Sequence, residues 1–173
     1  MTKTKRLSAV VSIFLLLTWG CSSQPAINKT RFGKAKAAAQ AVKAALASGA
    51  SYQDSAERVE HLSAEISALK YEVTTKREKE LLEAYSDLLG YYKDGLLLWK
   101  YKLEFASFDF MHKGRIYVSQ DLEPVVWKYG LPTETHIYAP THQRWNSVDE
   151  GSIKVIWANA DSQLKIIENI ENY

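Results

Sequence analysis

The chain has 173 residues, 46% of them hydrophobic, with 22 basic and 20 acidic side chains and a net charge of +2. That balance gives no electrostatic footprint for nucleic acid, so no nucleic-acid partner is expected. One cysteine, Cys21, leaves the rest of the chain without a disulfide, a thiolate metal site or a cysteine nucleophile.

Lys3, Lys5 and Arg6 precede an apolar run, Ala9 to Leu17, broken only by Ser12. The run is too short to span a membrane as a stable helix, and with its basic start it reads as a secretory leader over residues 1–20. Leu17-Thr18-Trp19-Gly20-Cys21 follows. It resembles the lipobox of bacterial lipoproteins, in which a small residue, here Gly20, precedes the acylated cysteine. Thr18 stands where that pattern usually has leucine. The resemblance covers the leader alone. It implies a diacylglyceryl group and an N-acyl chain on Cys21, and attachment to the membrane through that lipid anchor, facing the periplasm. Stable anchoring needs more than one acyl chain, which this supplies. Ser22 rather than aspartate follows the cysteine, which in a Gram-negative cell implies the inner leaflet of the outer membrane. Loss of the leader leaves 19 basic against 20 acidic residues.

Residues 21–33 are polar, contain Pro25 and read as a tether. The folded domain is expected over 34–173, enough chain to bury roughly two-thirds of its unfolded surface. Lys34 to Ser48 is alanine-rich and predicts a helix stopped by Gly49. Tyr52 to Val73 carries Val59, Leu62, Ile66, Leu69 and Val73 at helical spacing, with Ser51 and Asp54 placed as a capping box. Thr74-Thr75 and the charges from Lys76 to Glu80 interrupt that seam. They predict a turn, and so an antiparallel hairpin with the next helix. One continuous helix across residues 53–112 is the alternative.

Lys76 to His112 holds no proline and predicts a long helix, with Thr75 and Glu78 as its capping box. Leu81, Tyr85, Leu88, Tyr92, Leu96, Trp99, Leu103, Ala106 and Phe110 form one stripe, and Trp99 is expected in the core. Leu98, Tyr101, Phe105 and Phe108 form a second. Gly90 and Gly95 interrupt this helix at a cost of about 1 kcal/mol each. They predict close approach of another helix, with the alanine-rich one as the candidate, or a local bend.

Ile116-Tyr117-Val118 predicts a short extended piece. Ser119 is placed to cap a short helix from Asp121 to Tyr129, with Gly130 and Pro132 beyond it. Leu131 to Asn146 then reads as a loop. Ser147 and Glu150 resemble a further capping box, and Ile153, Ile156, Trp157, Ala160, Leu164, Ile167 and Ile170 predict a helix to the C-terminus. A strand over 153–157 is the alternative there. The expected fold is all-α, a helical bundle built on a long helical hairpin.

Little in this pattern carries chemistry. Glu57, Glu60, His61 and Glu65 lack the Glu-x-x-His spacing of di-metal bundles. His136 and His142 are six apart without a cysteine in their loop and with Glu134 as its one acidic residue, a weak metal signal, and neither a Ser-His-Asp spacing nor a glycine-rich phosphate loop is readable. No enzyme activity, metal or cofactor is expected. The loop is the candidate interaction surface, through His136, Tyr138, His142, Arg144 and Trp145, because Tyr, Arg and Trp are enriched at interface hot spots. The expected function is a lipid-anchored, non-enzymatic envelope protein that binds an envelope protein partner. The alternative is a periplasmic module holding a small ligand between helices near Tyr92, Trp99 and Trp157.

Overall fold

A computed structural model describes residues 26–108 and 112–172. The leader, Cys21 and Phe110 lie outside the described residues. Five helices and three strands follow in order: α1 (Lys29–Ser48), α2 (Tyr52–Leu69), α3 (Lys76–Phe105), β1 (Arg115–Val118), α4 (Glu123–Tyr129), β2 (Thr133–Tyr138), β3 (Gln143–Asp149) and α5 (Ser152–Asn172). Among the described residues no helix is long and apolar enough to cross a membrane.

The expected all-α class is therefore wrong: the fold is mixed, a four-helix layer joined to a three-stranded antiparallel sheet in the order β1-β3-β2. The segment read as a loop is a β-hairpin. Thr133, Thr135, Ile137 and Tyr138 favour a pleated backbone. Pro132 stands before the strand and Pro140 in the turn, so neither breaks the ladder. His142 closes the turn in the left-handed region, at φ 55°. Ser147 is not a helix cap but a buried strand residue, paired with Tyr117 on β1 and Glu134 on β2. Helix α5 starts only at Ser152, and the β-branched stretch 153–157 is helical.

The helical hairpin forms as expected. Thr75 accepts from the Glu78 amide at 3.2 Å, and Glu78 accepts from the Thr75 amide at 3.2 Å, a closed capping box. Glu78 is buried and also accepts from the Thr74 and Asn28 amides and from Arg31 at 2.7 Å. One carboxylate thus ties the start of α1 to the turn between α2 and α3. Burial works to raise its pKa, but the amides of Thr74, Thr75 and Asn28 and the Arg31 charge outweigh it, and the pKa lies below the ordinary value.

Two apolar cores share α3. The first fills the helical layer with Phe32, Val42, Leu62, Leu81, Tyr85 and Leu88. The second lies between α3, α4, α5 and the sheet, with Leu98, Ile116, Leu122, Val148 and Ile156. The two stripes of α3 serve one core each, so the helix turns its first stripe inward only as far as Leu96. Beyond it Leu103 is 52% exposed. Trp99 and Trp157 are half-buried and pack against both cores, so Trp99 is not the fully buried residue the stripe predicted. Helix α3 ends at Phe105, short of His112. Ser119 does not cap α4 through its side chain, which is buried without a partner.

Candidate functional site

Antiparallel register places Arg115, Tyr117, Glu134, His136, Tyr138, Gln143, Trp145 and Ser147 on one face of the sheet. The end of α3 and the chain beyond it cover that face. Phe105 lies 4.9 Å from the Tyr117 ring, and Phe108 lies 5.2 Å from Phe105. The Trp145 ring stacks on His136 at 4.2 Å, and His112 meets His136 edge-on at 4.5 Å.

Beneath these rings is a polar cluster. Arg115 donates from Nε to Ser147 Oγ at 2.9 Å and from Nη2 to the Ser147 carbonyl at 3.0 Å, and pairs with Glu134 at 3.2 Å. Ser147 Oγ lies 2.7 Å from His136 Nε2. Because Arg115 already donates to the hydroxyl oxygen, the hydroxyl hydrogen is directed to a neutral His136, a tautomer assigned from the network. Burial first, then the nearby His112 and Arg115, lower the His136 pKa, against an opposing pull from Glu134. The Ser–His contact has the spacing of a nucleophile and its base. Yet Ser147 is completely buried and Trp145 stacks on the His136 ring, so the pair is closed to solvent. The cluster pins the sheet.

Four of the five candidate surface residues are brought together. Tyr138, Arg144 and Trp145 line an open groove of about 880 Å³ with Phe105, Phe108, Tyr117 and Gln143. His136 lies under that groove, buried. His142 does not join them; it sits exposed in the turn. Sequence reasoning missed Arg115, Tyr117 and Ser147, whose only signal is a strand register. Among the described residues no cluster of three or more His, Cys, Asp or Glu side chains suits a metal ion.

A second cleft lies where the helical layer meets the sheet. Helix α1 packs mainly on α2, and α5 mainly on α3, so the α1–α5 seam is the loose side of the layer. Ion pairs Lys36–Glu171 and Lys43–Asp161, the latter at 3.2 Å, bridge it. Beyond Lys43 the seam opens into two adjoining wells. One, of about 680 Å³, is lined by Trp99, Trp157, Leu46, Lys102, Glu150 and Ile153 among others. The other, of about 220 Å³, is lined by Tyr92, Trp157, Leu46, Lys43 and Asp161. Leu46 and Trp157 line both, so the two wells are neighbours along the seam, a furrow in two parts.

Its walls are fixed by packing. Gly95 of α3 touches the Trp157 indole so closely that an added Cβ would sit 2.1 Å from Cζ3. The glycine therefore serves close approach, as expected, but to α5 rather than to the alanine-rich helix. Trp157 also tilts against Tyr92 at 6.4 Å, and Trp99 meets Tyr52 edge-on at 5.7 Å. Tyr92 keeps its phenolic proton, because burial and then the Asp161 charge push its pKa up. Lys102 and Glu150 pair across the rim at 2.8 Å. A cleft of this size, walled by aromatics and edged by a few polar groups, has the form of a small-molecule site. Comparison with protein-family models, with curated proteins and with solved structures finds no match for the chain.

Proposed function

We propose that this chain is a lipid-anchored cell-envelope protein, held by Cys21, whose folded domain is a non-catalytic module that takes a small ligand in the Trp99–Trp157 furrow. In a Gram-negative cell the anchor lies in the inner leaflet of the outer membrane, with the domain in the periplasm. The observation that carries the binding reading is the furrow: two indoles and a tyrosine, each held by its own packing, around wells of about 680 and 220 Å³. Preformed aromatic walls spare a ligand the cost of ordering them. Native mass spectrometry of protein extracted from membranes tests this. Wild-type protein should carry a small-molecule adduct that Trp157→Phe and Gly95→Leu lose. An adduct unchanged in both variants, or none in the wild type, overturns the reading.

A second reading rests on the groove at the hairpin, where Tyr138, Arg144 and Trp145 stand at an open surface. It makes this end the contact for an envelope protein partner. Tyr138→Ala with Arg144→Ala should then abolish a specific crosslink in intact cells while thermal unfolding stays nearly unchanged. A fall of several degrees in Tm that tracks the loss would make the groove a packing feature.

A further inference from the structure

We propose that the end of the helical layer where the chain from Cys21 enters docks on an anionic phospholipid surface through Lys29, Lys34, Lys70, Lys79 and Tyr71. This rests on the reading of Cys21 as a lipid anchor, and adds a second contact with the same membrane. The starts of α1 and α3 and the ends of α2 and α5 meet at this end. Arg31 of α1 donates to Glu78 of α3 at 2.7 Å, and Arg77 of α3 donates to the Ile170 carbonyl of α5 at 3.1 Å. Charge is unevenly placed along the layer. Residues 29–36, 70–80 and 168–172 hold eight basic against five acidic side chains, whereas the rest of the chain beyond the leader holds 11 against 15. The acidic ones are mostly spent within the fold. Glu78 and Glu171 are buried in ion pairs with Arg31 and Lys36, Glu80 lies 3.8 Å from Lys76, and Glu72 lies 4.0 Å from Arg31. Lys29, Lys34, Lys70 and Lys79 are exposed and, among the described residues, in no ion pair, with exposed Glu168 alone left to oppose them.

The cations on α1 do not serve the helix. Positive charge at a helix start opposes its dipole, yet the first turn of α1 carries Lys29 and Arg31 and no acidic residue. Side chains lean toward the N-terminus of their helix, so Lys29, Lys34 and Lys79 lean toward this end. In the turn between α2 and α3 the Tyr71 side chain is 94% exposed. A tyrosine suits the headgroup layer of a bilayer, with its ring against apolar groups and its hydroxyl wet. Seven peptide steps lead from Cys21 to Asn28, the cap of α1, so the chain holds this end within about 25 Å of the lipid. So short a link gives a local concentration on the order of millimolar, and a weak surface contact is then sufficient. Trp99 lies ~35 Å further along α3 than Lys76, so docking by this end keeps the furrow clear of the bilayer.

The test reconstitutes the mature, lipidated protein in vesicles of phosphatidylcholine, alone or mixed with phosphatidylglycerol. Acylation occupies the Cys21 thiol, so Ala68→Cys near Tyr71 and Leu103→Cys toward the other end of α3 each take one fluorophore; both positions are exposed. A quencher on the lipid headgroups reads their distance from the membrane, and flotation with pure phosphatidylcholine vesicles reports the anchor by itself. With phosphatidylglycerol the label at 68 should be quenched severalfold more than the label at 103, and high salt should remove the difference. Replacing Lys29, Lys34, Lys70 and Lys79 by glutamine should lower the ratio of docked to undocked protein at least tenfold, since each lysine near an anionic surface contributes roughly fivefold. Tyr71→Ala should lower it severalfold. Lys113→Gln with Lys154→Gln, on exposed lysines at the sheet end, should leave it unchanged. Thermal melts show that the variants are folded. Equal quenching at 68 and 103, a difference that phosphatidylglycerol does not raise, or one that survives the four glutamines overturns the docking, while flotation leaves the anchor standing. So does an equal loss in the Lys113 and Lys154 variant. Protein that does not float with phosphatidylcholine removes the anchor, and the docking with it.

Discussion

Two glycines in one helix, five residues apart, should respond in opposite directions to the same substitution. At Gly90 an added Cβ meets only Lys128 Nζ, at 3.9 Å. Gly90→Ala should therefore express the helix preference alone and stabilise the protein by about 0.5–1 kcal/mol. At Gly95 the same methyl would lie 2.1 Å from Cζ3, 2.3 Å from Cη2 and 2.7 Å from Cε3 of Trp157. Carbon atoms in contact rest about 3.5–4.0 Å apart, so the indole must retreat by roughly 1.5 Å. It cannot do so freely, because it packs on Tyr92 and against both cores. Overpacking of this kind costs about 1–3 kcal/mol. Set against the helix gain, Gly95→Ala should be about 1 kcal/mol less stable than wild type. Relative to Gly90→Ala the deficit is about 2 kcal/mol, or roughly 4–8 °C in Tm for a domain of this size. Thermal unfolding of the two variants side by side measures it, and tryptophan emission reports whether the ring has moved into the furrow. If Gly95→Ala melts as high as Gly90→Ala, Trp157 is free to swing away, and the furrow has no fixed wall.

Glu78→Gln removes a carboxylate that accepts from three amides and Arg31, and should cost about 3 kcal/mol at pH 7 by thermal unfolding. Because the folded-state pKa of Glu78 lies below the unfolded one, this stabilisation is present above about pH 4.5 and fades as pH falls through the lower folded value; a deficit unchanged at strongly acid pH would refute the assignment. His136 likewise has a folded-state pKa below its unfolded value of 6.5, so its neutral form stabilises the fold above that pH and the contribution is lost as pH falls below it. Wild-type Tm should drop more between pH 7.5 and 5 than that of His136→Asn, and equal slopes would show that the ring does not titrate against folding. Cys21→Ser should release the protein from the membrane fraction or leave an uncleaved precursor there. A mature N-terminus without acyl chains in mass spectrometry would rule out the anchor.

Helices α2, α3 and α5 were legible because each buries a stripe of large side chains at a spacing that only a helix brings to one side, and α1 because alanine favours a helix. The sheet was not, for the opposite reason. In β2 only His136 is buried, and Thr133, Glu134, Thr135, Ile137 and Tyr138 are all exposed, so no apolar alternation marks the strand. Flanking prolines then imitate the punctuation of a loop. Ser147 with Glu150 imitates a capping box, although the serine's partners, Arg115 and His136, come from two other strands. The furrow was half legible. Tyr92, Trp99 and Trp157 stand out as large rings near one another on paired helical stripes, and Gly95 marks a close approach. Which helix approaches it depends on whether α1 or α5 faces that side of α3, a tertiary fact with no local trace.

The position of the furrow follows from the weakness of α1. Its buried face is Ala35, Ala38, Ala39, Val42 and Ala45, with Phe32 as the one large anchor. Small side chains let a helix sit close to one neighbour, and α1 uses that freedom on α2. Reaching α5 as well would need bulk on its other flank, which it lacks. At the Phe32 end the gap is closed by other means: Phe32 lies 6.1 Å from Tyr85, the Tyr85 hydroxyl donates to Glu171 at 3.1 Å, and Glu171 pairs with Lys36. At the Gly49 end, among the described residues, no ion pair or side-chain hydrogen bond joins α1 to α5 beyond Lys43 and Asp161, and the sheet begins there instead. Trp99 and Trp157 face both cores at that junction because neither core alone is deep enough to enclose them. A substitution that filled out α1 at this end, such as Ala47→Leu, would narrow the smaller well from the α1 side while leaving both tryptophans in place. It separates loss of space from loss of the aromatic walls, which a tryptophan variant alone cannot do.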